Sequence, residues 1–221
     1  LACYTPKGLV GPAAVSVTLD GVEFSSQSGH FVYYSDIIIS GVSPSVGSEQ
    51  GGTVVTVLGS SFLASDSLTC KFGDASTAAA VWLSNLAIRC TSPESAPGSV
   101  VALEVSNNGV DFSTNNIVFR YTETPRVSAI EPASGPVHGG TRILIGSNNI
   151  DESDQYFCKF SGIQRSIQAS FVSKASLQCI TPAQETPGHV CVEISNNNAD
   201  FSSDCISFEY TSAPSVTGLS P

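Results

Sequence analysis

The chain repeats itself, and the period sets how many folding units it can contain. Val42-Ser43-Pro44 followed by Gly51-Gly52-Thr53 returns 88 residues later as Ile130-Glu131-Pro132 followed by Gly139-Gly140-Thr141, and Leu219-Ser220-Pro221 opens the same phrase again. Cys90-Thr91-Ser92-Pro93 matches Cys179-Ile180-Thr181-Pro182, and both match Cys3-Tyr4-Thr5-Pro6 at the start. A turn phrase, Ser106-Asn107-Asn108-Gly109-Val110-Asp111-Phe112-Ser113, returns as Ser195-Asn196-Asn197-Asn198-Ala199-Asp200-Phe201-Ser202 and, more loosely, as Leu19-Asp20-Gly21-Val22-Glu23-Phe24-Ser25.

Each unit closes on an aromatic run: Phe31-Val32-Tyr33, Phe119-Arg120-Tyr121 and Phe208-Glu209-Tyr210. Alternate residues of a strand share one face, so the rings in these runs are expected to be buried. In the first complete unit, residues 53–59, 68–72, 79–83, 87–90, 100–106 and 117–121 read as short strands separated by turn residues. Composition agrees: 19 Gly, 12 Pro, no Met and only 13% charged residues suit short strands and many turns better than surface helices. The expected fold class is all-β, with tandem immunoglobulin-like sandwiches in a rod-like array.

These phrases carry a family resemblance. Pro-x-x-Gly with Gly-Gly-Thr, a Cys-Lys-Phe strand, Cys-x-x-Pro and Ser-Asn-Asn-Gly-x-Asp-Phe together resemble the IPT/TIG family, in register over nearly the whole chain. The resemblance implies an early-set immunoglobulin-like sandwich. Family members occur in plexin-like and scatter-factor-receptor-like ectodomains, in long cell-surface repeat proteins, in some transcription factors and as accessory domains of starch-acting enzymes, so the fold does not choose the function.

The expected organisation is the C-terminal part of one repeat at 1–35, complete repeats at 36–123 and 124–212, and the start of a further repeat at 213–221. Cys3 aligns with Cys90, which places about 50 residues of the first unit upstream, in a longer chain or supplied by a neighbouring subunit. Both junctions are short and carry proline, Pro125 and Pro214, with no Gly/Ser linker, so consecutive units are expected to hold a limited range of angles.

Seven cysteines without metal-type spacing point to an oxidising, extracellular compartment. Cys70 and Cys90 recur as Cys158 and Cys179, which gives each unit its own staple. Cys191 and Cys205 exist only in the second unit, flanking its Asn turn. Three pairings of that unit's four cysteines are formally possible; the simpler first unit selects Cys158–Cys179 with Cys191–Cys205. Cys3 is left without a partner in the segment.

No catalytic residue, metal site or cofactor is expected. His30, His138 and His189 keep no company with a nucleophile and an acid in any recognisable motif. Asp111 and Asp200, or Asp151, Glu152 and Asp154, could offer oxygen to calcium, but the Asn-rich phrases are what tight turns require. A formal charge of −10 argues against nucleic acid, and no apolar run is long enough for a membrane helix. No Asn-x-Ser/Thr sequon occurs, whereas Thr5, Ser43, Ser92, Thr124, Thr181 and Thr186 precede prolines and leave O-linked glycan open.

Two functions follow. The first is a structural or adhesive repeat segment of a longer cell-surface or filament-forming protein, its partners proteins and in particular neighbouring copies or repeats of itself. The second is the ligand-recognition ectodomain of a plexin-like or adhesion receptor, for which the one Trp, Trp82, would be a candidate contact were it not more simply placed in the core.

Overall fold

The computed structural model describes residues 3–74, 76–114, 116–148, 150–152 and 155–212. The expected opening of a further repeat at 213–221 lies outside them, as does Asp154. The described residues 3–35 contribute a hairpin, β1 (Gly11–Val15) with β2 (Gly29–Tyr33).

The first complete unit runs β3 (Ile38–Ser43), β4 (Val46–Ser48), β5 (Val54–Ser60), β6 (Thr69–Phe72), β7 (Ser76–Ala79), β8 (Val81–Ser84), β9 (Ala87–Thr91), β10 (Val100–Ser106) and β11 (Val118–Thr122). The second runs β12 (Val127–Glu131), β13 (Ser134–Pro136), β14 (Arg142–Ser147), β15 (Phe157–Phe160), β16 (Ile167–Gln168), β17 (Ser170–Ser173), β18 (Ser176–Ile180), β19 (Gly188–Ser195) and β20 (Ile206–Thr211). In the first, one sheet has the order β3-β5-β9-β8 and faces another ordered β4-β11-β10-β6-β7. The second repeats both orders strand for strand, as β12-β14-β18-β17 and β13-β20-β19-β15-β16. The fold is all-β and immunoglobulin-like, with a short β4 running parallel to β11 and β13 parallel to β20.

Alternation places the core. Val55 and Val57 of β5 point inward and are fully buried while Val54 and Leu58 face out, and Ile143 and Ile145 of β14 do the same. Burying each such side chain contributes roughly 2 kcal/mol before conformational entropy is set against it. Phe119 and Tyr121, and likewise Phe208 and Tyr210, meet edge to face at about 5 Å inside their sandwiches. The expectation of burial fails for the first aromatic run: Phe31 is exposed and Tyr33 only partly covered, because among the described residues no opposing sheet accompanies the β1–β2 hairpin.

Two further expectations are corrected. The run at 79–83 is not one strand: β7 pairs with β6 in one sheet, β8 pairs with β9 in the other, and the chain crosses between sheets at Ala80, which packs on the core. Trp82, on the edge strand β8, is 42% exposed, with its indole N–H donated to the Phe62 carbonyl at 3.1 Å. Phe62 itself fills the core position, as Ile150 does in the next unit.

Cys70 on β6 is bonded to Cys90 on β9, and Cys158 on β15 to Cys179 on β18, so each bond ties one sheet of a sandwich to the other. Cys191 on β19 is bonded to Cys205, one residue before β20, within a single sheet. Cys3 is free and exposed. Three disulfides in a segment of this size belong to an oxidising, extracellular environment.

Candidate functional site: the junction between repeats

Each unit carries the same polar turn between its last two strands. In the second unit, the Asn197 side-chain carbonyl accepts the backbone N–H groups of Ala199 (2.9 Å) and Asp200 (2.8 Å), while its amide donates to Asp200 Oδ2 (2.7 Å). The first unit reproduces this at Asn108, which accepts from Val110 and Asp111 and donates to Asp111 Oδ2 at 2.8 Å. Asp20 accepts from Val22 and Glu23 in the same way. Those two backbone N–H groups, and then the Thr18 hydroxyl, hold the Asp20 carboxyl down to about 2. An Asn or Asp that satisfies two backbone donors by itself is a turn former, and that is the role these three residues fill.

What differs between the copies is the next layer of contacts. The Asp200 carboxylate also accepts the Thr53 hydroxyl at 2.6 Å, across 147 positions of sequence and from one unit to the other. Asn197 donates to the Val46 backbone carbonyl at 3.0 Å, and Asn196 donates to the Thr122 hydroxyl at 2.9 Å. Val46, Thr53 and Thr122 lie together because β4 runs parallel to the end of β11, in register Val46↔Arg120 and Ser48↔Thr122. Thr53 follows the Gly-Gly turn, is fully buried, and accepts the Ser48 N–H at 3.1 Å while its own N–H reaches the Ser92 hydroxyl.

Glycine makes this close approach possible. A Cβ on Gly47 would stand 2.5 Å from both the Thr53 hydroxyl and the Phe119 ring, and its counterpart Gly135 is equally crowded by Thr141 and Phe208. The linker is fastened as well: Thr124 donates its N–H to Glu49 and its hydroxyl to Ser48, and Pro125 is buried. The docked turn borders two clefts, of about 810 and 570 Å³; the larger is lined in part by Val46, Arg120, Phe157 and Asn197, the smaller by Glu49, Thr124 and Asp200.

The other candidates stay apart. His138 contacts the neighbouring Gly139 carbonyl through Nδ1, His189 contacts Ser207, and His30 lies exposed on β2. Among the described residues no three His, Cys, Asp or Glu side chains converge as a metal would need. Two proposed glycan positions are closed: Ser92 and Thr181 are buried, their hydroxyls accepting the N–H groups of Thr53 and Thr141. The junction was missed in the sequence although its signal was present, since a Thr after Gly-Gly and an Asn-x-x-Asp phrase after a hydrophobic strand occur in each complete unit.

The model of the IPT/TIG domain matches residues 38–121 and again 125–210. Human Plexin-A3 is 28% identical over 193 residues, covering 83% of this chain and 10% of the relative. Human Plexin-A2 is 29% identical over 205 residues, with 87% and 11% covered, and human Fibrocystin-L is 28% identical over 183 residues, with 77% and 4% covered. The chain thus spans about a tenth or less of the length of these relatives. Among solved structures, the Plexin A4 full extracellular region superposes with a TM-score of 0.53 at 21% identity, covering 87% of this chain and 17% of that one.

Proposed function

Because the chain belongs to the IPT/TIG domain family, we propose that it is a non-catalytic extracellular segment that holds protein-binding surfaces at a set spacing and orientation within a longer structural or adhesive protein. The observation that carries this reading is the junction, where a turn belonging to one repeat hydrogen-bonds through three side chains to the end of the repeat before it. A flexible tether needs no such contacts, whereas an oriented array does. Cys70–Cys90, Cys158–Cys179 and Cys191–Cys205 serve the same end by stiffening each sandwich. Small-angle X-ray scattering tests it: the intact chain is expected to fit one conformation, and Asp200→Ala to require a spread of inter-repeat angles. Equal spreads in both chains would refute it.

A plexin-like recognition role is the second reading, favoured by the half-exposed Trp82 with Val81, Leu83 and Leu86 on the outer edge of the first unit. The second unit places Phe171, Val172 and Ala175 there instead. Partner capture that survives Trp82→Ser would remove the support for this face. O-linked glycan, if present, would sit at the exposed Thr5, Ser43 or Thr186.

A further inference from the structure

We propose that the far end of the second unit, around Thr141, Thr211 and Ser134, is a docking socket for the Asn-x-x-Asp turn of an IPT/TIG repeat following in the same polypeptide. The inference rests on the junction reading above and extends it to a surface that nothing occupies among the described residues.

The socket already filled consists of a threonine hydroxyl after Gly-Gly, a threonine hydroxyl at the end of the last strand, and a backbone carbonyl of the short parallel strand. The second unit rebuilds all three. Thr141 follows Gly139-Gly140 and donates to no group among the described residues. Thr211 ends β20 and donates to the Gly135 carbonyl at 3.2 Å, as Thr122 donates to the Gly47 carbonyl at 3.5 Å. Ser134, the counterpart of Val46, sits on β13 in the same parallel register, Ser134↔Glu209 against Val46↔Arg120.

Exposure separates the filled site from the empty one. Thr53 is fully buried with Asp200 on it, Thr141 is only partly covered, and Thr211 and Ser134 are exposed. One substitution sharpens the chemistry. Pro136 stands where Ser48 stood, so Thr141 lacks the N–H that Thr53 receives, and its hydroxyl oxygen keeps its acceptor capacity as well as its proton.

In the junction already formed, the turn of the later repeat meets the end of the earlier one. A turn of each repeat meeting the end of its predecessor is a head-to-tail contact that does not close on itself and can therefore continue for as many repeats as the polypeptide supplies.

The test compares Thr141→Val in two chains: the chain as it stands, and one in which residues 213–221 are replaced by a second copy of residues 124–212. The readout is backbone hydrogen exchange of residues 134–141 and of the turn that would dock there. In the extended chain, Thr141→Val is expected to speed exchange in both segments by about tenfold, the scale of one lost buried hydrogen bond to a charged group. In the original chain it is expected to change nothing. An equal effect in both chains, or in neither, overturns the proposal. So does concentration-dependent pairing of the original chain that Thr141→Val abolishes, because the occupant would then be a second copy. Thr53→Val serves as the control: if it loosens the existing junction while Thr141→Val is silent, the socket fails and the junction reading stands, whereas silence at Thr53 would undo the junction reading itself.

Discussion

The two complete units share every strand and both sheet orders, yet they secure themselves differently. The first carries one disulfide and leaves the Tyr121 hydroxyl buried without a hydrogen-bond partner among the described residues. The second carries two disulfides, and its equivalent Tyr210 donates to the Pro182 carbonyl at 2.8 Å, as Tyr33 of the partial unit donates to Pro6 at 2.7 Å. The first unit also presents its threonine socket to a neighbour, while the second presents its turn. One repeat can therefore differ from the next in stability and in contacts without any change of fold, because the core alternation sets the sandwich and the rim sets what it touches.

The largest separation is expected from the extra disulfide. Closing a loop of 14 residues contributes about 3 kcal/mol in the chain-entropy view, so C191S/C205S should lower the denaturant midpoint of the second unit towards that of the first. Trp82, the one tryptophan, reports on the first unit alone, and its fluorescence midpoint is expected to stay put. A matching shift in the Trp82 signal would show that the units unfold as one body, which breaks the comparison.

Next comes the turn. Asp200 accepts from both Thr53 and Asn197, and Asp200→Ala should cost about 2 kcal/mol by urea unfolding. Asp111 is exposed and accepts from Asn108, so Asp111→Ala should cost clearly less.

Tyrosine offers a finer contrast. Tyr210→Phe should cost about 1 kcal/mol through its lost hydrogen bond, whereas Tyr121→Phe removes a buried hydroxyl with no partner and should be neutral or stabilising. Burial pushes the Tyr121 pKa up to about 12 from 10, so the folded state disfavours its ionised form. That contribution is complete below pH 10 and is lost as the pH rises towards 12. Tyr121→Phe should flatten this alkaline loss in melts taken across that range. The smallest difference between the units is expected from the salt bridges: Lys71–Glu104 and Lys159–Glu193 occupy equivalent positions, each lysine also over a phenylalanine ring, and Lys→Ala should cost about 0.5 to 1 kcal/mol in each unit alike.

Much of this architecture was legible from the chain because it is local. Alternation in 53–59 and the aromatic runs fix which faces are inward, and the repeated turn phrase forms the same hydrogen bonds at Asp20, Asn108 and Asn197. The junction was not legible for a physical reason. Thr53 and Asp200 are 147 positions apart, and each has a sufficient local explanation, one as the residue after a Gly-Gly turn and the other as part of an Asx turn. The sheet switch at Ala80 was hidden in the same way, since Ala79 to Leu83 is an unbroken apolar run that reads as a single strand. A lone Trp is more often a core residue than a contact, but Trp82 stands on an edge strand, and Phe62, whose carbonyl accepts its indole N–H, fills the core position.

The account turns on whether the two complete units move as one, and residual dipolar couplings measured on the intact chain in a weakly aligning medium test this most directly. With Thr53, Thr122 and Val46 holding the turn at Asn196 to Asp200, both units are expected to report one alignment tensor, of equal magnitude and orientation. Asp200→Ala should split it into two. Two tensors of different magnitude in the unaltered chain would contradict the account, because repeats that reorient independently cannot hold binding surfaces at a set angle.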